Sequence, residues 1–463
     1  MNASRALAAV LACSLVSAPV RAAGFYYPDL GAVPLGRGAT GAAGAGDLSA
    51  MASNPAGLAE LSGLRLQGEL SVAQQPVSFT RQGPCGGLAP TCPTVSNSGG
   101  AFFNTVSGAS YKLGDVVFAL AAYGPPSVGR YQYPDPRTVQ GAVATAAPQR
   151  YSLIESNNFI LYPGLGAAYR VASWLDLGAV VQVRTFHVHQ AQSIFVLGGI
   201  GGDVPEADAV ATFDAQDKAR LVFGGGLIAR PFEGLSIGLS ARPAAPVHAE
   251  GTLDVDAPLA SVAGIRVEGR AAKVDLTLPA EARLGVRYAR PSWMVELDGT
   301  WEGWGVLRDL TVTPLDVVLK TGTGANEVTT KVQPIPLFKN FRGAFSARLG
   351  GEVDLPAEWL PAALGVRLRA GGLYETSAIP DDTLQLDFPN VARGALTAGA
   401  SVRFHGLDVA LAYAHFFQSD TTVTASKAVR VDPYPAPTFV IGNGRTQSSL
   451  DTVAMQVAYT FGR

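Results

Sequence analysis

Apolar and polar residues alternate one for one through many stretches of roughly ten residues. Leu175, Leu177, Ala179, Val181 and Val183 fall on one face, with Asp176, Gln182 and Arg184 on the other. Leu221, Phe223, Gly225, Leu227 and Ala229 likewise oppose Arg220, Gly224, Gly226 and Arg230, and Phe345, Ala347, Leu349 and Gly351 oppose Ser346, Arg348 and Glu352. Leu364, Val366, Leu368, Ala370 and Tyr374 oppose Arg367, Arg369 and Glu375, and the final stretch sets Val453, Met455, Val457, Tyr459 and Phe461 against Gln456 and Thr460. A period of two predicts strands with one apolar face. After residue 23 no unbroken apolar run reaches the length of about eighteen residues that a membrane helix needs.

The pattern predicts fourteen strands, at about 64–79, 100–112, 115–124, 157–170, 175–192, 217–231, 235–250, 272–289, 293–309, 341–353, 364–376, 393–404, 407–417 and 449–461. Their connections alternate in length. Short turns fall near 113–115, 171–174, 231–234, 289–292 and 405–406, and long polar or Gly/Pro-rich stretches at 126–156, 193–216, 251–264, 311–338, 377–392 and 418–447. That asymmetry is how a transmembrane antiparallel β-barrel of the bacterial outer membrane is built. Closure is demanded because an open sheet edge in lipid leaves backbone groups unpaired. An even strand count returns both termini to the periplasmic side. A soluble sandwich or propeller shares the alternation but needs no such asymmetry.

Composition agrees. The chain of 463 residues is 48% hydrophobic and 16% charged, against about 25% charged in ordinary soluble domains. Its 53 glycines and 31 prolines argue against helix bundles, and a net charge of −2 with so much apolar content excludes a disordered chain. The balanced charge leaves no electrostatic footprint for nucleic acid.

Residues 1–22 read as a cleaved signal peptide, with Arg5 before an apolar stretch and Val20-Arg21-Ala22 at the cleavage site. A membrane anchor would need a longer apolar run. Cleavage removes two arginines and moves the net charge from −2 to −4. Of three cysteines, Cys13 leaves with the signal, and Cys85 and Cys92 share a Gly/Pro-rich loop. In an exported protein they are expected to form a local disulfide.

Strand parity assigns the lumen. In the eighth strand Leu276, Leu278, Ala282, Leu284, Val286 and Tyr288 are expected on one face and Glu281, Arg283 and Arg287 on the other. In the ninth, Trp293, Val295, Leu297 and Trp301 suit lipid, and Glu296, Asp298, Thr300 and Glu302 suit the lumen. A turn pairing Tyr288 with Trp293 would set Arg283 opposite Asp298. With Arg342, Arg348, Arg367 and Arg369 these residues make a basic wall, and arginine supplies 28 of the 35 basic residues. Arg283, Arg287, Arg348, Arg367 and Arg369 are therefore candidates to bind a substrate carboxylate through bidentate, charge-assisted bonds. The competing reading is that they pair with lumenal acids and hold the barrel's shape.

Residues 23–63 precede the first strand and carry nine glycines, with Leu30, Leu35, Leu48, Met51, Leu58 and Leu61 available for packing. A periplasmic tail is one reading and a plug inserted into a wide lumen is the other. The segment contains Ala23-Gly24-Phe25, Gly36-Arg37-Gly38 and Asn54-Pro55-Ala56-Gly57-Leu58-Ala59. Further on come Leu276-Thr277-Leu278-Pro279, Leu284-Gly285-Val286-Arg287-Tyr288, Glu296-Leu297-Asp298 with Trp301 and Trp304, Arg369-Ala370-Gly371-Gly372-Leu373-Tyr374, Ala378-Ile379-Pro380-Asp381 and Leu411-Ala412-Tyr413-Ala414. In this order the sequence resembles the FadL/TodX family of outer-membrane transporters for long-chain fatty acids and hydrophobic aromatics. The resemblance implies a fourteen-stranded barrel over 64–463, with 23–63 folded inside as a hatch whose motif is Asn54, Pro55, Ala56 and Gly57. It implies uptake through an apolar pocket, movement of the hatch, and lateral release where the third strand is interrupted. Gly124-Pro125-Pro126 ends that strand here, and proline removes a ladder donor.

The expected partners are a long-chain fatty acid or aromatic hydrocarbon, outer-membrane lipid and lipopolysaccharide, with the barrel acting as a monomer and no cofactor. Gly36-Arg37-Gly38-Ala39-Thr40-Gly41 matches a dinucleotide fingerprint without its strand and helix. Gly234-Leu235-Ser236-Ile237-Gly238 matches a hydrolase elbow without its context. His187 and His189 lack a third metal ligand nearby. A non-selective porin, an outer-membrane enzyme and a structural barrel are the alternative functions.

Overall fold

The computed structural model describes residues 24, 26–27, 31–83, 92–124, 129–134, 147–195, 208–257, 264–430 and 439–462. The expected signal peptide 1–22, Cys85, and Pro125 with Pro126 lie outside them. Cys92 is disulfide-bonded.

Fourteen strands form the barrel. They are β1 (Leu64–Gln74), β2 (Val106–Leu113), β3 (Val116–Tyr123), β4 (Phe159–Ala172), β5 (Leu175–Phe195), β6 (Asp208–Phe232), β7 (Leu235–Arg242, continued by Ala245–Asp256) and β8 (Ala271–Leu278, continued by Glu281–Arg290). They continue with β9 (Trp293–Glu302), β10 (Ala344–Asp354), β11 (Leu364–Glu375), β12 (Arg393–Phe404), β13 (Leu407–Gln418) and β14 (Gly444–Phe461). Sequential strands pair antiparallel, and β1 closes on β14 from Leu64↔Phe461 to Gln74↔Asp451. Closure removes the edge that lipid would not tolerate.

The outward face of the short-turn half is apolar, as alternation predicts. Leu177, Leu221, Phe223, Leu284, Leu297, Phe345, Leu349, Leu396, Leu411 and Val453 are all exposed there. Their neighbours Asp176, Gln182, Arg283, Glu296, Asp298, Arg348 and Gln456 are buried inside.

Parity does not hold along whole strands. In β7, Ser236 and Ser240 point inward below Pro243, whereas Val247 and Ala249 point inward above it. In β8, Arg283 is inward below Pro279, and Leu278, Leu276 and Val274 are inward above it. The two breaks are opposite each other, because Arg242 pairs with Glu281 and Ala245 with Leu278. This corrects the expectation that Leu276 and Leu278 share a face with Leu284 and Val286. Each proline break shifts the alternation by one residue and so flips every side chain beyond it. Beyond the breaks the barrel turns inside out, with apolar residues in and His248, Glu250, Lys273 and Asp275 outward.

The β8–β9 register also differs from expectation. Arg290 pairs with Trp293 and Tyr288 with Val295, so Arg283 opposes Thr300, and Asp298 lies between Gly285 and Arg348. The turn is two residues shorter than the sequence suggested. Arg342, expected in the basic wall, is exposed instead.

Candidate functional site

Residues 31–61 lie inside the short-turn half of the barrel. A short helix, α1 (Ala32–Gly36), and a 3-10 turn (Pro55–Glu60) are too small to be stable alone, so the wall holds them. Three successive amides, of Gly41, Ala42 and Ala43, donate to Asp298 (2.8 and 2.9 Å) and Glu296 (2.8 Å). Arg37 donates to the carbonyls of Gly44 (2.8 Å) and Ala45 (3.2 Å), with Glu352 and Glu296 at 3.8 and 3.9 Å. Asn54 caps the 3-10 turn by accepting from Ala56 N–H at 3.1 Å. Its amide nitrogen donates to Ala42 O (2.7 Å) and to Leu227 O of β6 (3.0 Å).

The wall beneath this segment lacks side chains where the segment touches it. A Cβ on Gly238 would fall 1.8 Å from Ala42 O, and one on Gly350 1.8 Å from Arg37 O. On Gly178, Gly226 and Gly371 it would meet Ala56 N, Asn54 Oδ1 and Gly38 N at 2.2, 2.1 and 2.4 Å. Glycine on five strands lets backbone lie directly on backbone. Several of these glycines abut across strands, as Gly178↔Gly226, Gly238↔Gly285 and Gly350↔Gly371. The dinucleotide-like run thus has a structural use, because Gly38 takes a φ of +73° against the wall. Asp47 is enclosed here, and burial raises its carboxyl above the ordinary value despite hydrogen bonds from Ser49 and the charges of Arg65 and Arg37.

Above the segment, at the level of the proline breaks, lies an inner cavity. Tyr26, Tyr27, Tyr123, Tyr162, Arg242, Arg283, Glu281, Glu302, Arg348 and Glu375 line it, together with Pro243 and Pro279. Above this, toward the long loops, lies an outer cavity. Its walls are almost wholly apolar: Phe186, Val188, Phe213, Leu253, Val274, Leu276, Leu307, Leu310, Val312 and Phe388 among them. The face switch in β7 and β8 is what turns Leu253, Val274 and Leu276 inward.

The five arginines singled out from sequence separate into three places. Arg283 and Arg348 reach the inner cavity, Arg283 paired with Glu281 and Arg348 with Glu375 at 3.3 Å. Arg287 holds the N-terminal segment, bonded to Glu60 (3.2 Å) and Gly44 O (3.3 Å). Arg367 and Arg369 lie with Glu352, at 3.0 and 2.9 Å, outside either cavity. Sequence reasoning missed Arg242. It lines the inner cavity, stacks over Tyr162 and Tyr123 at 5.2 and 5.5 Å, and has no ion-pair partner among the described residues. Its signal was present: it continues the polar face of Ser236 and Ser240 and directly precedes Pro243.

Beside the inner cavity the third strand stops. Among the described residues its ladder with β4 runs to Tyr123↔Tyr162, whose rings stack at 5.4 Å, and the next rung is Arg130↔Asn157. One strand takes seven residue steps between these rungs and the other five. Gly124 follows the last rung and donates to Thr105 O at 3.2 Å. His187 and His189 face outward, both bonded to Asp214, and no metal-type cluster occurs among the described residues.

The family model described as "Outer membrane protein transport protein (OMPP1/FadL/TodX)" matches residues 13–461. A Pseudomonas aeruginosa FadL homologue superimposes with a TM-score of 0.74 at 18% identity, covering 95% of this chain and 100% of that one. The Ralstonia pickettii toluene transporter TbuX gives 0.60 at 16% identity, covering 93% and 98%. The Pseudomonas putida toluene transporter TodX gives 0.63 at 15%, covering 96% and 100%. Among curated proteins none matches. The solved structures share the fold, and the match across nearly the whole sequence fixes its kinship: this outer-membrane β-barrel belongs to the OMPP1/FadL/TodX family of transporters for hydrophobic substrates.

Proposed function

We propose that the protein carries a long-chain fatty acid, or another hydrophobic molecule with an anionic end, from the outer face into the membrane through the two stacked cavities. The observation that carries this reading is the change of chemistry between them. The outer cavity offers almost wholly apolar surface, worth roughly 0.8 kcal/mol per buried CH₂. The inner one adds Arg242, which makes no direct ion pair among the described residues and lies above two tyrosine rings. An aromatic hydrocarbon would use the first feature and not the second.

In this reading residues 23–63 act as a hatch. Tight burial of an acyl chain makes release the difficult step, so the inner cavity must change shape, and the hatch forms its floor. Release is lateral, past Tyr123 and Tyr162 and through the interruption at Gly124, Pro125 and Pro126. The inner cavity lies against the final rung of that strand.

Radiolabelled oleate and toluene uptake by a transporter-deficient outer-membrane strain, combined with planar-bilayer conductance, tests the reading. Saturable oleate uptake with little ion conductance supports it. Open conductance without uptake makes the protein a porin. Silence in both assays removes the transport reading for these substrates.

A further inference from the structure

The two cavities are close neighbours. On β8, Val274 and Leu276 line the outer one and Leu278, the next inward residue, lines the inner one. Glu302, the last residue of β9, lines the inner cavity, and Leu307, five residues beyond it, the outer. Between Glu302 and Leu307 the chain makes a 3-10 turn, Trp304–Val306.

Trp304, in this turn, is the bulkiest fully buried side chain among the described residues. Its indole meets Tyr26 of the inner cavity edge-on at 4.9 Å and Phe341 at 6.2 Å. Phe341 in turn meets Phe388 of the outer cavity at 6.1 Å. The indole N–H donates to Glu302 at 2.6 Å. Gly24 lies so close that a Cβ there would fall 2.1 Å from the ring. The four other tryptophans, Trp174, Trp293, Trp301 and Trp359, are all exposed on the barrel's outside or its turns.

We propose that Trp304 is the partition between the two cavities, and that its indole swings aside to let substrate cross. This rests on the transport reading above. Among its contacts the ring makes edge contacts to Tyr26 and Phe341 and donates a hydrogen bond to a cavity-lining carboxylate, and side-chain rotation breaks these. A chain or ring pressing from the outer cavity replaces the aromatic contacts that rotation gives up. Trp304 therefore selects by width: slender acyl chains and single rings pass, and fused or heavily branched molecules do not.

The location of Trp304 makes the test direct. Full-length protein is titrated with dibromostearate while tryptophan emission is recorded, and oleate binding is followed separately by calorimetry. The partition predicts strong quenching in the native protein and loss of that quenched component in Trp304→Phe, with oleate binding retained. Trp304→Ala, which removes two ring contacts, should raise oleate uptake by about tenfold and admit a fused-ring acid that native protein excludes. Heat-modifiable electrophoretic mobility reports that each barrel has folded. Oleate binding with quenching unchanged in Trp304→Phe, or native rates and selectivity in Trp304→Ala, overturns the partition alone. Absence of oleate binding in the folded native protein overturns the transport reading and the partition with it.

Discussion

The side-chain amide of Asn54 is bonded to the carbonyl of Leu227 at 3.0 Å, tying the N-terminal segment to the sixth strand across 173 residues. The same amide holds Ala42 at 2.7 Å, and its oxygen caps Ala56. Asn54→Ala strands two carbonyls and one amide, a loss of about 1–3 kcal/mol. The expected outcome is a folded barrel with a loosened floor: ion leakage in planar bilayers rises and the segment becomes sensitive to protease.

A hatch that must move can be locked. A Cβ on Gly285 would fall 2.8 Å from that of Ala42, so a Cys pair at these positions needs only a slight separation to reach the roughly 3.5–4.5 Å of a disulfide. Oxidised Ala42→Cys/Gly285→Cys protein should fold normally and stop taking up oleate, with uptake restored by reductant. Normal uptake by the oxidised form would sink the moving hatch.

Filling the wall from the other side should unseat the same segment. In Gly238→Val the new side chain occupies the place of Ala42 O, 1.8 Å from the built Cβ. Overpacking of this kind costs about 1–3 kcal/mol, charged to the segment because Gly238 faces the lumen. Electrophoretic heat-modifiability should be retained while conductance rises.

Arg242 separates the candidate substrates. Arg242→Leu should weaken oleate binding by about tenfold or more, as expected for a lost hydrogen bond to a charged group, and leave toluene binding unchanged. Calorimetry with both ligands reads the difference. Equal effects on the two would assign Arg242 to shape rather than to carboxylate recognition.

Asp47 gives the seat a pH dependence. Burial raises its carboxyl above the ordinary 3.8, so the folded state binds the proton more tightly than the unfolded. Its contribution is fully present below 3.8 and is lost as pH rises through the folded-state value. Asp47→Asn keeps an acceptor for Ser49 N–H, bonded to Asp47 at 2.9 Å, and removes the ionisation. Protease protection of the segment should decline as pH rises above 3.8 in native protein and stay level in the variant.

Much of the architecture was legible along the chain. Alternation in stretches such as Leu175–Arg184 and Val453–Phe461, with short and long connections in turn, determined a closed barrel of fourteen strands. Lipid permits only apolar outward residues and no open edge, so the pattern has one solution. The Gly-rich stretch with Asn54-Pro55-Ala56-Gly57 marked a segment that packs without forming a strand. Glu296 and Asp298 were legible as lumenal too, since their parity is unbroken along β9.

Only the tertiary structure decided what the lumen holds. A break at Pro243 and another at Pro279 invert the faces of β7 and β8, and parity counted along one strand cannot sense an interruption that its neighbour shares. Arg283, Arg287, Arg348, Arg367 and Arg369 look equivalent in sequence. Register and the path of residues 31–61 send Arg287 to the N-terminal segment, Arg367 and Arg369 to Glu352, and leave Arg242 in the cavity with no direct ion pair among the described residues. An ion pair depends on a separation of a few ångströms between strands far apart in the chain, whereas a strand's outward face depends only on its own residues and the solvent it meets.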